Sequence, residues 1–190
     1  MEGAELPVYI SMENWTIVMI TVFGDKLMSN IRKAKVDDAL IISQISVDTW
    51  KKTYEGILPN ELLINRKVDE KRINNWKRNV INADYTVLVY EDEKVCGYLW
   101  AGKKRDEIDV PYEIYAIYVS PEYQRAGIGQ ALINEYKKQI NNQSFYLYML
   151  KGNASASAFY KKMGGKENIQ YNRKLSVGDY SIEEEIYIFE

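Results

Sequence analysis

From Ile31 onward the apolar positions alternate between strand-like and helix-like spacing. Ile41, Ile42, Ile45 and Thr49 share one helical face, and Asp37 or Asp38 stands where an N-cap belongs. Gly56 and Pro59 break the chain, and Ile73, Trp76 and Val80 predict a second helix. Residues 85–90 are β-rich, Glu91-Asp92-Glu93-Lys94 is a polar turn, and residues 95–101 complete a β-hairpin. Tyr112–Val119 is the next strand. Ile128, Leu132, Tyr136 and Ile140 mark a helix after it, and Phe145–Leu150 a further strand. Phe159 and Met163 lie on one face of a short helix that Gly164-Gly165 would cap. Ile182, Ile186 and Ile188 belong to a final strand with charged or aromatic residues on its other side. No internal repeat interrupts the series.

The segment before Ile31 reads differently. Its longest apolar run, residues 15–23, is far short of the roughly 20 residues a spanning helix needs. Glu2, Glu5 and Glu13 precede it, the wrong charge for a signal peptide. Residues 1–30 are expected to be an extension outside the native domain, with an extra strand as the other reading. A cytoplasmic location with no membrane partner follows as an expectation.

Composition narrows the chemistry. The 190 residues are 46% hydrophobic and 27% charged, enough for one soluble domain with a real core. A net charge of -2 gives no bias toward nucleic acid, and Lys103-Lys104-Arg105 reads as a solvated turn. The single cysteine, Cys96, sits in an apolar run and reads as a small buried hydrophobe. There is no histidine, which excludes a Ser-His-Asp triad, a Cys-His pair and any histidine-ligated metal. Proton transfer must come from carboxylates, Tyr, Lys or water.

The informative segment runs from Glu113 to Gly129: a strand, a loop with two glycines, then a helix. A helix N-terminus offers unpaired N–H groups to an anion. Gly127 and Gly129 let a phosphate approach the backbone, and Arg125 adds a positive charge. A pyrophosphate or similar ligand is expected there. The loop lacks the Gly-Lys-Ser/Thr of a Walker motif and the full dinucleotide fingerprint.

Gln124-Arg125-Ala126-Gly127-Ile128-Gly129 resembles the Gln/Arg-x-x-Gly-x-Gly/Ala signature of the GNAT (N-acetyltransferase) superfamily. The strand ending Ile117-Tyr118-Val119-Ser120-Pro121 resembles that family's central strand. Residues 147–150, Asn153 and residues 158–164 resemble its second CoA-contact segment. Two motifs in the right order make the match specific, and it covers residues 31–190. One departure is Gly165, where many relatives carry Phe, which is expected to weaken packing against the last helix.

The resemblance implies a single α/β domain. Its mixed, mostly antiparallel, twisted sheet of six or seven strands has helices on both faces and two splayed central parallel strands. It implies acetyl-CoA as cosubstrate, with Arg125 to Gln130 binding the pyrophosphate through N–H groups, Ile117 and Val119 pairing with pantetheine as an added strand, and Gln124 and Tyr118 also in the cofactor site. An N–H near Ile117 or Val119 would stabilise an oxyanion. Asn153 would bind pantetheine, or cap a helix, or both. Tyr160 would protonate the departing thiolate. Glu113 would accept the proton of the incoming amine, directly or through water, with Glu55 and Asp109 as fallbacks. An alkylammonium, with a pKa of about 10.4, must lose that proton to become a nucleophile. Attack would be direct, in a ternary complex, with no metal.

The resemblance places the acceptor wall on Trp50, Tyr54, Glu55, Glu113 and Tyr115, where aromatics and carboxylates suit a cationic amine or ordinary packing equally. A small-molecule amine, polyamine-like, is the expected partner. A protein lysine or N-terminus, and a non-catalytic CoA sensor, stay open. The resemblance adds the expectation of a homodimer.

Overall fold

The computed structural model describes residues 30–177 and 179–190, so the extension or extra strand expected before Ile31 lies almost wholly outside the described residues. In chain order the elements are β1 (Ile31–Lys33), α1 (Ala39–Tyr54), α2 (Asn60–Asn65), α3 (Glu70–Ile81), β2 (Tyr85–Glu91), β3 (Val95–Lys103), β4 (Tyr112–Val119), α4 (Ile128–Gln139), β5 (Phe145–Leu150), α5 (Ala154–Lys162), β6 (Lys166–Glu167), β7 (Arg173–Val177) and β8 (Tyr180–Phe189). The strands form one sheet in the order β1-β2-β3-β4-β5-β8-β6, with β7 pairing β8. Among the described strands, β4 and β5 make the parallel pair and every other pairing is antiparallel.

The mixed, mostly antiparallel sheet is as expected, but it has eight strands among the described residues. The added ones are the two-residue β6 and the mostly exposed β7, both too short and polar to carry a periodic signal.

Alternation along the strands sends side chains to two opposite cores. Leu88, Leu99, Ile114, Leu147 and Phe189 meet α4 and α5 on one face. Val87, Val89 and Tyr98 meet α1 and α3 on the other, through Ile42, Ile45 and Trp76. Cys96 is buried in the first core, as its apolar surroundings imply.

Two local expectations need correcting. Asp38 occupies the N-cap position of α1, but its side chain makes no capping bond there; it closes a preceding 3-10 turn, accepting the Lys35 N–H at 2.6 Å and a two-pronged grip from Arg32. Gly165 does not loosen the end of α5. A Cβ there would lie 2.6 Å from Phe189 Cζ, and Phe189 stacks on Phe145 with centroids 4.5 Å apart. The final strand's own ring fills the space a Phe at 165 would take.

What positions the site is the junction of β4 and β5. Their parallel register covers Tyr112 to Ile114 against Phe145 to Leu147 and stops there. At the same point β4 carries a bulge: Trp100 pairs Ala116 and Ala101 pairs Ile114, leaving Tyr115 as the extra residue. A bulge bends its strand and increases the twist. β4 therefore turns away from β5, which stays paired to β8 as far as Leu150 against Glu184.

Candidate active site

The splay opens a cavity of about 540 Å³ that reaches from the α4–α5 face to α1. β4 contributes Ile117, Tyr118 and Val119, and β5 contributes Leu147, Tyr148 and Met149.

Backbone groups on the β4 side face the gap. Ser120 N–H donates to the Cys96 carbonyl at 2.8 Å, and Tyr118 pairs with Tyr98. In an antiparallel ladder the alternate residues then point their N–H and C=O away from the partner strand. Those residues are Ile117 and Val119, and no β5 strand pairs with them. One of the four groups is taken, because Gln124 Nε2 donates to the Val119 carbonyl at 3.0 Å.

The glycine loop closes one end. Arg125 and Gly127 both adopt left-handed backbone, with φ of 63° and 83°. The turn aims the start of α4 at the cavity. The Ala131 N–H makes the bond to Gly127 O at 2.9 Å, so the N–H groups of Ile128, Gly129 and Gln130 precede the first helical bond. Gly129 runs close under α5, where a Cβ would meet Phe159 Cζ at 3.3 Å. Of the expected loop residues, Gln124, Arg125, Gly127, Ile128, Gly129 and Gln130 line the cavity and Ala126 does not.

A row of gap-facing amides leading into a glycine-turned helix N-terminus fits an extended ligand with an anionic middle. Sequence comparison gives this arrangement its family. The acetyltransferase (GNAT) domain profile matches residues 83–164. An uncharacterized N-acetyltransferase, YuaI of Bacillus subtilis, is 34% identical over 136 residues, covering 67% of this chain and 75% of that protein. The chain belongs to the GNAT acetyltransferase family. It is an acetyl-CoA-dependent acetyltransferase, with acetyl-CoA as cosubstrate. A spermidine N(1)-acetyltransferase of Thermoplasma acidophilum is 28% identical over 144 residues, 72% of this chain and 87% of that one. The crystal structure of PaiA N-acetyltransferase from the same organism, in complex with coenzyme A, shares the fold. Its TM-score is 0.61 at 24% identity, covering 82% of this chain and 96% of that one.

The candidate residues at the start of α5 and within it, Asn153 and Tyr160, both line the cavity. Asn153 caps α5, its side chain accepting from the Ala156 N–H at 3.1 Å, and it also lines the cavity. The two readings of Asn153 are geometrically compatible. Tyr160 lines the cavity and is 8% exposed, its ring packed near Phe159 and Tyr187. Burial, then the neighbouring Tyr118, pushes its phenol well above the ordinary tyrosine value. Tyr54 and Tyr118 line the same cavity, and burial raises both. The three phenols stay protonated and can act as donors.

The expected acceptor wall is only partly assembled. Tyr54 and Tyr115 line the cavity. Trp50 does not; it packs edge-on to Tyr54 beneath the Arg66 guanidinium. Glu55 points to solvent and pairs with Lys52 at 3.3 Å, and Asp109 is exposed.

Glu113 is 1% exposed and is not among the cavity residues. Arg105 holds it with two hydrogen bonds, and the Tyr146 hydroxyl donates to it at 3.1 Å. Tyr146 in turn accepts from the Arg105 and Asp106 N–H groups at 3.3 and 3.4 Å. Arg105 also lies over the Tyr115 ring, 4.1 Å from its centroid, and the Tyr115 hydroxyl donates to the Lys103 carbonyl. The segment read as a solvated turn thus supplies the clamp on Glu113. Nothing in a Lys-Lys-Arg run announces this, because the partner is eight residues on and across a strand end.

Proposed function

We propose that this GNAT enzyme acetylates a primary amine of a small molecule, by direct attack in a ternary complex, and that residues 31–190 form the catalytic domain. The observation that carries the reading is the splay between β4 and β5, where main-chain amides lead into the Gly127–Gly129 turn. Acetyl-CoA supplies the thioester that the amine attacks. The Ile117 and Val119 N–H groups are the donors available to a developing oxyanion. Tyr160, protonated and lining the cavity, gives its proton to the departing thiolate. The Asn153 amide and the N–H groups of residues 125–130 bind the cosubstrate.

Glu113 serves better as a positioning residue than as the base, since three donors occupy it and it does not line the cavity. It anchors Arg105 and, through Tyr146, the closed end of the splay. Among the described residues the cavity lining contains no Asp or Glu, so the ammonium proton leaves to water. The name of the Thermoplasma relative supports a polyamine-like acceptor. The absence of acids from the cavity lining does not. A homodimer, on family resemblance, and a cytoplasmic location, on the sequence pattern, complete the proposal.

The test is calorimetric titration of acetyl-CoA, then thiol release against a panel of amines and lysine peptides. Turnover on a small amine supports the proposal. Turnover on peptides alone replaces it with protein acetylation, and absence of acetyl-CoA binding overturns the site.

A further inference from the structure

A second cavity, about 520 Å³, lies over β3 and β4 beneath α1 and α3. It shares Tyr115, Ala116 and Tyr118 with the splay cavity, so the two adjoin along β4. Its polar lining has a marked bias. The Trp100 Nε1–H and the Arg66 Nε–H are buried and have no hydrogen-bond partner among the described residues, while the Tyr98 hydroxyl sits beside Ser46 in the same lining. Tyr98 is 0% exposed. Buried donors without acceptors are rare in folded proteins and call for an explanation.

Charge points the same way. Arg66, Lys71 and Arg72 line this cavity, against one acid, Asp69. Asp69 is occupied as the cap of α3, accepting the Arg72 N–H at 2.7 Å. Among the described residues no carboxylate pairs with any of the three cations. Arg66 is the most constrained. Its guanidinium lies 4.5 Å from the Trp50 centroid, Nη2 reaches Ser46 Oγ at a long 3.4 Å, and burial pulls its pKa below the ordinary arginine value. A partly buried cation with no counter-ion is costly, and an oxyanion offsets that cost.

Resting on the reading of the splay cavity as the acetyl-transfer site, we propose that the acceptor is an amine bearing an oxyanion, a carboxylate or a phosphate. Arg66 and Trp100 hold that group, with Tyr98 and Ser46 behind them, while the amine reaches the splay past Tyr118. Donors without acceptors select an acceptor-only group, and three cations against one occupied acid disfavour a polycation.

The experiment compares thiol release on ω-amino acids of increasing length, their carboxamides, aminoalkyl phosphates and spermidine, using wild type, Arg66→Gln and Tyr98→Phe. The expected result is a KM at least tenfold lower for one oxyanion-bearing amine than for its neutral counterpart. Arg66→Gln should remove most of that preference, seen as a KM for the oxyanion-bearing amine that rises to that of its neutral counterpart. Better turnover of ω-amino acids names a carboxylate as the group, and of aminoalkyl phosphates a phosphate. Equal use of neutral amines and spermidine, unchanged in Arg66→Gln, overturns the inference and leaves the acetyltransferase standing. If no amine is acetylated, calorimetry with acetate and inorganic phosphate decides the site separately. Binding to wild type that is lost in Arg66→Gln supports it, and no binding overturns it.

Discussion

Arg105 grips Glu113 as a fork, Nε to Oε2 at 3.0 Å and Nη2 to Oε1 at 2.5 Å, with the carboxylate 2% exposed and the guanidinium 52% exposed. Removing the cation leaves a buried carboxylate with the Tyr146 hydroxyl as its remaining donor. Arg105→Met should cost about 3 kcal/mol in urea denaturation, the lower end of the range for a broken buried pair. Glu113→Gln keeps a hydrogen-bonding group there and separates the two roles proposed for this residue. As a positioning residue it should leave kcat within about tenfold of wild type, whereas loss of a general base costs roughly 10²–10⁴.

Tyr160→Phe keeps the ring against Phe159 and Tyr187 and removes only the hydroxyl. Thermal stability should change by less than about 1 kcal/mol, while kcat falls on the order of 10²-fold. Unchanged turnover would remove the acid assignment and leave the rest of the site intact.

The pH profile follows from the cavity lining. With no carboxylate among the described lining residues to take the ammonium proton, kcat/KM should rise about tenfold per pH unit up to the pKa of the acceptor amine. A plateau beginning near pH 6–7 would reveal an enzymic base. Burial raises the Tyr160 phenol, so the acid is present throughout and is lost only above the ordinary tyrosine value of about 10. A falling limb below that pH would contradict its role.

Acid stability should depend on Asp38. Burial opposes its charge, but the Arg32 hydrogen bonds and the Lys35 N–H outweigh burial and hold the carboxyl below its ordinary value. A depressed folded pKa stabilises the protein fully above the ordinary carboxylate range, and the contribution disappears as pH falls through the folded value. Asp38→Asn should lower stability by about 1–3 kcal/mol at pH 7 and flatten its fall between about pH 4 and the acid limit. Denaturant midpoints across that range read both effects.

Two glycines should respond differently to alanine. At Gly129 the new Cβ meets Phe159 Cζ at 3.3 Å on the cavity side of α4, so cosubstrate affinity should fall while helix propensity offsets the crowding. At Gly165 the Cβ would lie 2.6 Å from Phe189 Cζ and 3.0 Å from the Tyr160 carbonyl. Overpacking of this kind costs about 1–3 kcal/mol. Melting curves with and without acetyl-CoA separate the two.

Periodicity made most of the fold legible. β4 and β5 begin and end where alternation of apolar residues placed them, and α4 follows its four-residue repeat. The glycine loop was legible because left-handed backbone at Gly127 and close approach at Gly129 are properties of the residue type. The acceptor side was not. Glu113 reads the same in a strand whether it faces a ligand or an arginine, and Arg105 reads as surface until the chain folds back on it.

By itself the sequence determined the strand–loop–helix unit that belongs to the family and the absence of histidine chemistry, because both follow from residue types at short separation. Only the tertiary structure decided that Glu113 is clamped, that Phe189 fills the space beside Gly165, and that Tyr98, Trp100 and Arg66 converge on one cavity. Those facts depend on contacts between residues far apart in the chain, whose partners no local pattern specifies.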